Sequence, residues 1–327
     1  MKSLLIAFLV FWNVNSVIAA HARKRPTIIR SRPISQHDKQ ITTFSPQGQL
    51  LQLHYAQIAS NKGYPSLYFQ IDDQTIILLC RSSIGYGRRR RRTMTPADDD
   101  THDTNSNNHT VLVPNQSVFR IHDSILAKFT GLQGDGRLLS KHLRANAMMM
   151  HSNFGIEDYP QYFHVKHIVE LCAEVQHSLT VRSGARPLAV QAVFMGKSGV
   201  DKLGLWKVDV GGFYNECTFC CSGNLDLLGI NEGQVLQKMQ DLTSSVQDFG
   251  NDVESGGTSH ESRLQHVILE LGKIILMDKD SFANNANTVA SDIYVMKVNP
   301  KCRGGIQIQC ATCVKEEHLE EVSKLFS

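Results

Sequence analysis

The residues with the most evident capacity for chemistry are four of the chain's eight cysteines. Cys217-Thr218-Phe219-Cys220 and Cys310-Ala311-Thr312-Cys313 form two C-x-x-C pairs, a spacing that thiolates use to hold zinc. The stretch from Phe213 to Cys221 reads as one strand, however, and successive side chains of a strand point to opposite faces. Cys217 and Cys220 should then face apart, so we expect buried or free thiols and no metal. A Ser-His-Asp set such as Ser183, His177 and Asp209 can also be picked out. No G-x-S-x-G elbow accompanies it, and a chain with 14 histidines offers such sets freely. No motif asks for a cofactor.

Charge is the next chemical resource. The net charge is only +3 over 327 residues, so no overall field argues for nucleic acid as the main partner. The basic residues are nevertheless clustered. Arg88 to Arg92 stand in a row, followed by Asp98, Asp99, Asp100 and Asp103 and a tract rich in Asn and Thr, so that 85–115 reads as a polar inserted loop. The arginine run has three readings: a processing site, a nuclear-import or nucleic-acid patch, or a solvated basic loop. The last is the default, because no aromatic residues are interleaved for base stacking. Two sequons, at Asn108 and Asn115, fall in or beside this loop, either as glycan acceptors or as chance tripeptides in an Asn-rich tract.

The first 19 residues resemble a signal peptide: Lys2, an apolar run from Leu4 to Trp12, and a small-residue pattern that places cleavage after Ala19. A wrongly assigned start or a short membrane anchor are the alternatives, although the apolar run is well short of the roughly 20 residues that a spanning helix needs. No stable membrane span is expected elsewhere. Residues 20–40 are basic, carry Pro26 and Pro33, and read as a flexible arm.

These groups must be positioned by an ordered domain over 41–327. Ser45-Pro46 signals a helix start, with Leu51, Tyr55, Ile58 and Ala59 forming one apolar stripe that ends near Gly63. Strands follow at Ser66 to Ile71 and Thr75 to Cys80, then Val118 to Ile121 and Ile125 to Phe129. Two helical patterns come next, carrying Leu139, Leu143, Ala147 and Met150, then Val165, Ile168, Val169, Cys172 and Leu179; Met148 to Met150 read as core filler. Three strands, Leu188 to Met195, Leu203 to Val208 and Phe213 to Cys221, precede two more helices linked by the polar stretch Asp248 to Glu261. Strands at Ile293 to Val298 and Gly305 to Cys310 and a helix over Lys315 to Phe326 close the chain. Strands and helices in separate runs give an α+β class: a sheet sandwich covered by helical layers.

Four segments carry a family resemblance. Thr43-Phe44-Ser45-Pro46-Gln47-Gly48-Gln49-Leu50, with Tyr55 and Ala56, looks like the opening signature of proteasome α subunits. Gly131-Leu132 with Asp135, Arg137 and Leu139 is similar to the family's strand-to-helix turn. Ser183-Gly184-Ala185-Arg186-Pro187-Leu188-Ala189 is similar to its Gly-Gly-x-Arg-Pro approach to a strand, and Asp209-Val210-Gly211-Gly212 resembles its Asp-Pro-Ser-Gly turn. The motifs occur in family order, so the chain resembles a divergent proteasome α-type subunit, with 41–327 as the corresponding domain.

That resemblance implies a four-layer αββα sandwich of the N-terminal-nucleophile hydrolase type. It also implies a non-catalytic place in a 20S core particle, among other α and β subunits in stacked rings, contributing to ring assembly and to gating of substrate access in ubiquitin-dependent protein breakdown. Catalysis in this fold needs a Thr, Ser or Cys whose own α-amino group acts as base at the start of the first strand. Lys62, Gly63, Tyr64 and Pro65 stand there instead, and Ser66 could acquire a free amine only by cleavage after Pro65. The family's activator-binding lysine aligns with Ser82, which has no charge; a one-residue shift would let Arg81 supply it. His54 replaces the family's Glu, and Tyr68 replaces a small residue. The resemblance implies cytoplasm and nucleus, whereas the leader suggests the secretory pathway. The alternative function is therefore a diverged secretory paralogue that uses the fold as a binding or self-assembling module.

Overall fold

Thr75-Ile76-Ile77-Leu78-Leu79-Cys80 is a continuous apolar run, the pattern of a strand covered on both faces. Its alternate residues do serve two different cores: Ile77 and Leu79 pack on one side, Ile76, Leu78 and Cys80 on the other. A computed structural model describes residues 41–83, 117–154, 163–182, 185–199, 201–251, 259–276, 289–302, 305–313 and 318–326. The leader and its Ala19, the arm, the 85–115 loop with Asn108 and Asn115, and Ser183 and Gly184 lie outside the described residues.

The elements are α1 (Leu51–Ser60), β1 (Ser66–Asp72), β2 (Thr75–Ser83), β3 (Val118–His122), β4 (Ile125–Gly131), α2 (Gln133–Phe154), α3 (Val165–Val181), β5 (Val190–Lys197), β6 (Leu203–Val208), β7 (Tyr214–Glu216), β8 (Phe219–Ser222), α4 (Glu232–Asn251), α5 (Ser259–Leu276), β9 (Val289–Val298), β10 (Ile306–Cys313) and α6 (Leu319–Lys324). One sheet runs β10-β9-β2-β1-β8 and the other β3-β4-β5-β6-β7. Helices α4, α5 and α6 cover the first through Val235, Met239, Leu264, Ile268, Leu271 and Leu319. Helices α2 and α3 cover the second through Leu139, Leu143, Val165, Val169 and Cys172. A third core, with Tyr68, Leu78, Leu126, Val193 and Leu205, fills the space between the sheets. The result is the expected four-layer αββα sandwich. Among the described residues, no helix is long and apolar enough to cross a membrane.

Several local expectations change. Ser45 does not start a helix. Its carbonyl accepts from Gly48 N–H at 2.8 Å, its own N–H donates to the Gln49 carbonyl at 2.8 Å, and Gly48 sits at φ +77°. These bonds close a turn, and α1 begins only at Leu51, without a side-chain cap. Of the predicted apolar stripe of α1, Ala59 packs inward, but Tyr55 and Ile58 are 47% and 46% exposed, while Ala56 and Ser60 are buried. Met148 and Met149 are exposed, and only Met150 packs against the core.

The stretch from Phe213 to Cys221 is two strands in different sheets. Glu216 of β7 pairs with Trp206, whereas Phe219 of β8 pairs with Phe69. The chain crosses between the layers at Cys217 and Thr218, so the alternation that would have separated Cys217 from Cys220 is broken. Both side chains turn to the core between the sheets, Cys220 within it and Cys217 packed against it. In β10 the alternation holds, leaving Cys310 exposed and Cys313 buried. Among the described residues, no three His, Cys, Asp or Glu side chains are grouped to hold a metal ion.

Candidate functional site

The four motif segments are distant in sequence, yet they meet under helix α1. Leu53, Ala56 and Ala59 of the helix pack on Ala189, just after Arg186-Pro187, and on Val210 of the Asp209–Gly212 turn. These helix residues are small apart from Leu53, which lets the helix backbone come close. At its end a Cβ on Gly131 would lie 2.8 Å from Ser60 Cα and 2.3 Å from the Ala189 carbonyl oxygen. Gly131 is at φ +123°, so a side chain would also be strained there.

An ion pair braces the seat. Arg186 donates from both terminal nitrogens to the Asp135 carboxylate, each at 2.7 Å, and Ala189 N–H donates to the same carboxylate at 3.0 Å. Asp135 is buried at the start of α2, so its three accepted bonds satisfy a charge that would otherwise be costly. Leu132 N–H donates to the Ala189 carbonyl at 2.9 Å, tying the second motif to the third. The fourth motif is the β6–β7 turn, closed by Gly212 N–H on the Asp209 carbonyl at 2.9 Å and by Asp209 N–H on the Phe213 carbonyl at 2.8 Å. Arg137, one turn into α2, points outward. Pro46 and Gly48 belong to the turn ahead of α1, whose Ser45 hydroxyl accepts from Gln49 N–H at 3.2 Å.

Helix α1 leads straight to the start of β1, where the sequence argument placed any nucleophile. Ser66 is fully buried, its hydroxyl donates to the Tyr64 carbonyl at 3.5 Å, and its nitrogen is acylated by Pro65. The loop is sealed from the other side, since Asn224 N–H donates to the Gly63 carbonyl at 2.7 Å. Beside it opens a cleft of about 670 Å³ lined by polar groups that include Asn61, Lys62, Lys207, Asp209 and Glu232. Ser222, also lining it, lies opposite Ser66 in the β1–β8 ladder. The Ser222 hydroxyl bonds Thr130 at 2.9 Å and Tyr68 at 3.2 Å, linking the two sheets. Tyr68, unusual for the family motif, thus has a structural partner, and burial holds its phenol well above the ordinary value.

Arg81 does not present a charge for a docking tail. It follows Ile77 and Leu79 on the helix-facing side of β2, is buried, and donates to the Leu227 carbonyl at 3.3 Å. Ser82 pairs with Ala290 of β9. Reading the sequence also missed Lys128, which is fully buried between the sheets and donates to the Ser117 hydroxyl. Burial lowers its ammonium pKa, opposed by Cys80 and Asp292. The signal was available, since Lys128 is the one charged residue of β4 and occupies an inward position there.

Comparison with known proteins bears on this arrangement. The family described as Proteasome subunit matches residues 101–240. The proteasome subunit alpha of Aeropyrum pernix is 27% identical over 178 residues, covering 54% of this chain and 58% of its own length. The proteasome subunit alpha type-7 of Trypanosoma brucei brucei is 24% identical over 252 residues, 74% of this chain and 87% of its own. The proteasome subunit alpha type-4 of Drosophila melanogaster is 22% identical over 190 residues, 58% of this chain and 62% of its own. The chain thus spans under two thirds of two of these relatives.

Proposed function

We propose that the chain, a divergent relative of proteasome α subunits, acts as a non-catalytic subunit of a 20S-like core particle, joining other α and β subunits in stacked rings. The observation that carries this reading is the way α1 is mounted. Its small-residue face is seated on the four motifs, while Tyr55 and Ile58, and Phe44 of the segment before it, are left 47%, 46% and 62% exposed at the surface. A helix that turns its larger apolar residues outward is built to be covered by a neighbour. The segment preceding it is then held at a fixed place on the ring, where it gates access.

The chemistry at β1 supports the non-catalytic reading. The only hydroxyl at the strand's start is buried, and its nitrogen is an amide, which has no basic lone pair to offer. The expected behaviour is co-migration of the C-terminally tagged full chain with other α and β subunits on a native gel. Tyr55→Ala combined with Ile58→Asp should release it without unfolding it. A purely monomeric species in cell extract would overturn the proposal.

A second reading, a secretory paralogue, rests on the leader-like segment and the sequons. Recovery of a mature chain that begins after Ala19, carries glycans on Asn108 or Asn115 and is free of other subunits would replace the first reading with this one.

A further inference from the structure

The crossing from β7 to β8 brings to one core two thiols that the proposed function does not use. Cys217 N–H donates to the Leu205 carbonyl at 2.9 Å and its thiol approaches the same oxygen at 3.7 Å, which fixes the residue at the rim of the second sheet. The bend at Thr218 then turns Cys220 back, so that the two side chains, three residues apart, pack on the same core between the sheets. Cys220 is buried in the core between the sheets. Cys217 is only half-buried, and its neighbours Asn215, Glu216 and Thr218 are exposed, so a small reagent can reach it. The next thiol, Cys221, points the other way, into the helix-facing core, and contacts Glu232 at 3.8 Å.

We propose that Cys217 and Cys220 form a redox-active dithiol, a modification site whose oxidant is a low-molecular-weight disulfide. Cys217 is the attacking residue: as thiolate it bonds to one sulfur of the disulfide, and the other sulfur leaves as a thiolate. Cys220 then gives its proton to that departing thiolate and attacks Cys217, displacing the second small thiol. The Cys217–Cys220 bond forms, and the small disulfide has gained the two electrons and two protons that the cysteines lost.

The electrostatics assign these roles. The neighbouring Cys220 thiol holds the Cys217 thiol below its ordinary pKa, helped by Lys207, while burial pushes Cys220 up. An accessible thiol of lowered pKa beside a buried partner is the arrangement that favours exchange. A bridge closing so short a loop constrains the unfolded chain little, so it is suited to cycling and not to stapling.

The test uses the purified full chain, incubated with glutathione disulfide at neutral pH and digested for mass spectrometry. The expected product is a peptide joined between Cys217 and Cys220, two hydrogens lighter than the dithiol. Cys220→Ser should accumulate a glutathione adduct on Cys217, and Cys217→Ser should leave Cys220 unmodified. In the reduced wild type, iodoacetamide should label Cys217 about tenfold faster than the exposed Cys310. Wild type that remains a dithiol, pairing of Cys217 elsewhere, or an adduct-free Cys217 in Cys220→Ser would overturn the proposal. If Cys220→Ser does not fold, the wild-type bridge and the labelling ratio decide it alone.

Discussion

Helix α1 is held very differently at its two ends. At its C-terminal end the backbone of Ser60 touches Gly131, and the loop beyond is bonded to Asn224. At its N-terminal end there is a turn, an uncapped first residue, and a glycine, Gly48, with nothing within 4 Å of where a side chain would begin. Positive φ at Gly131 comes with crowding, whereas positive φ at Gly48 comes with open space. The helix is therefore anchored where it meets the sheet and only loosely braced where it begins.

The largest effect should come from breaking the locked end. Gly131→Ala forces a Cβ against the Ala189 carbonyl and adds left-handed strain, and should cost about 3 kcal/mol in urea unfolding, from overpacking and strain together. Asp135→Ala comes next, at about 2 kcal/mol, because Ala189 N–H and the inner side of Arg186 lose their acceptor. At the open end, Gly48→Ala meets only the conformational penalty, about 1 kcal/mol. If it cost as much as Gly131→Ala, the contrast between the two ends would fail.

The last effect is one of pH and sharpens the comparison from below. Lys128 lies on β4, the strand that ends in Gly131, and burial lowers its folded-state pKa from the unfolded value of 10.5. The folded chain thus binds this proton less tightly than the unfolded one. The burial penalty is in full force below the folded pKa and is relieved as pH rises toward the unfolded value. Denaturation midpoints taken at about pH 7 and about pH 9.5 should show wild type gaining on Lys128→Met. No relative gain would mean that the ammonium is solvated.

Much of the fold was legible because burial on two faces writes itself into the sequence. The strand runs around Thr75–Cys80 and Ile125–Phe129 and the periodic helices α2, α3, α4 and α5 were readable for that reason. Boundaries failed where a local backbone bond overrode composition, as at Ser45, whose turn depends on Gly48. The two C-x-x-C pairs are the instructive case. Spacing alone treats them alike, but β10 keeps its alternation and parts Cys310 from Cys313, while the crossing at Cys217 and Thr218 unites the other two. The seat of α1 was half readable: the motifs marked its parts, but that they converge required the three-dimensional structure. The wrong face of α1 was chosen because hydrophobicity favours Tyr55 and Ile58, whereas close docking favours Ala56 and Ser60.

The mounting of α1 also sets an order of events during synthesis. The helix is among the first parts of the domain to leave the ribosome, but its resting place includes Ala189 and Val210, which are translated much later. Until then Ala56 and Leu53 have nothing native to cover them, and the outward Tyr55 and Ile58 add to the sticky surface. The nascent chain therefore passes through a long interval in which its leading helix needs shelter, and capture of that helix is a late step in folding.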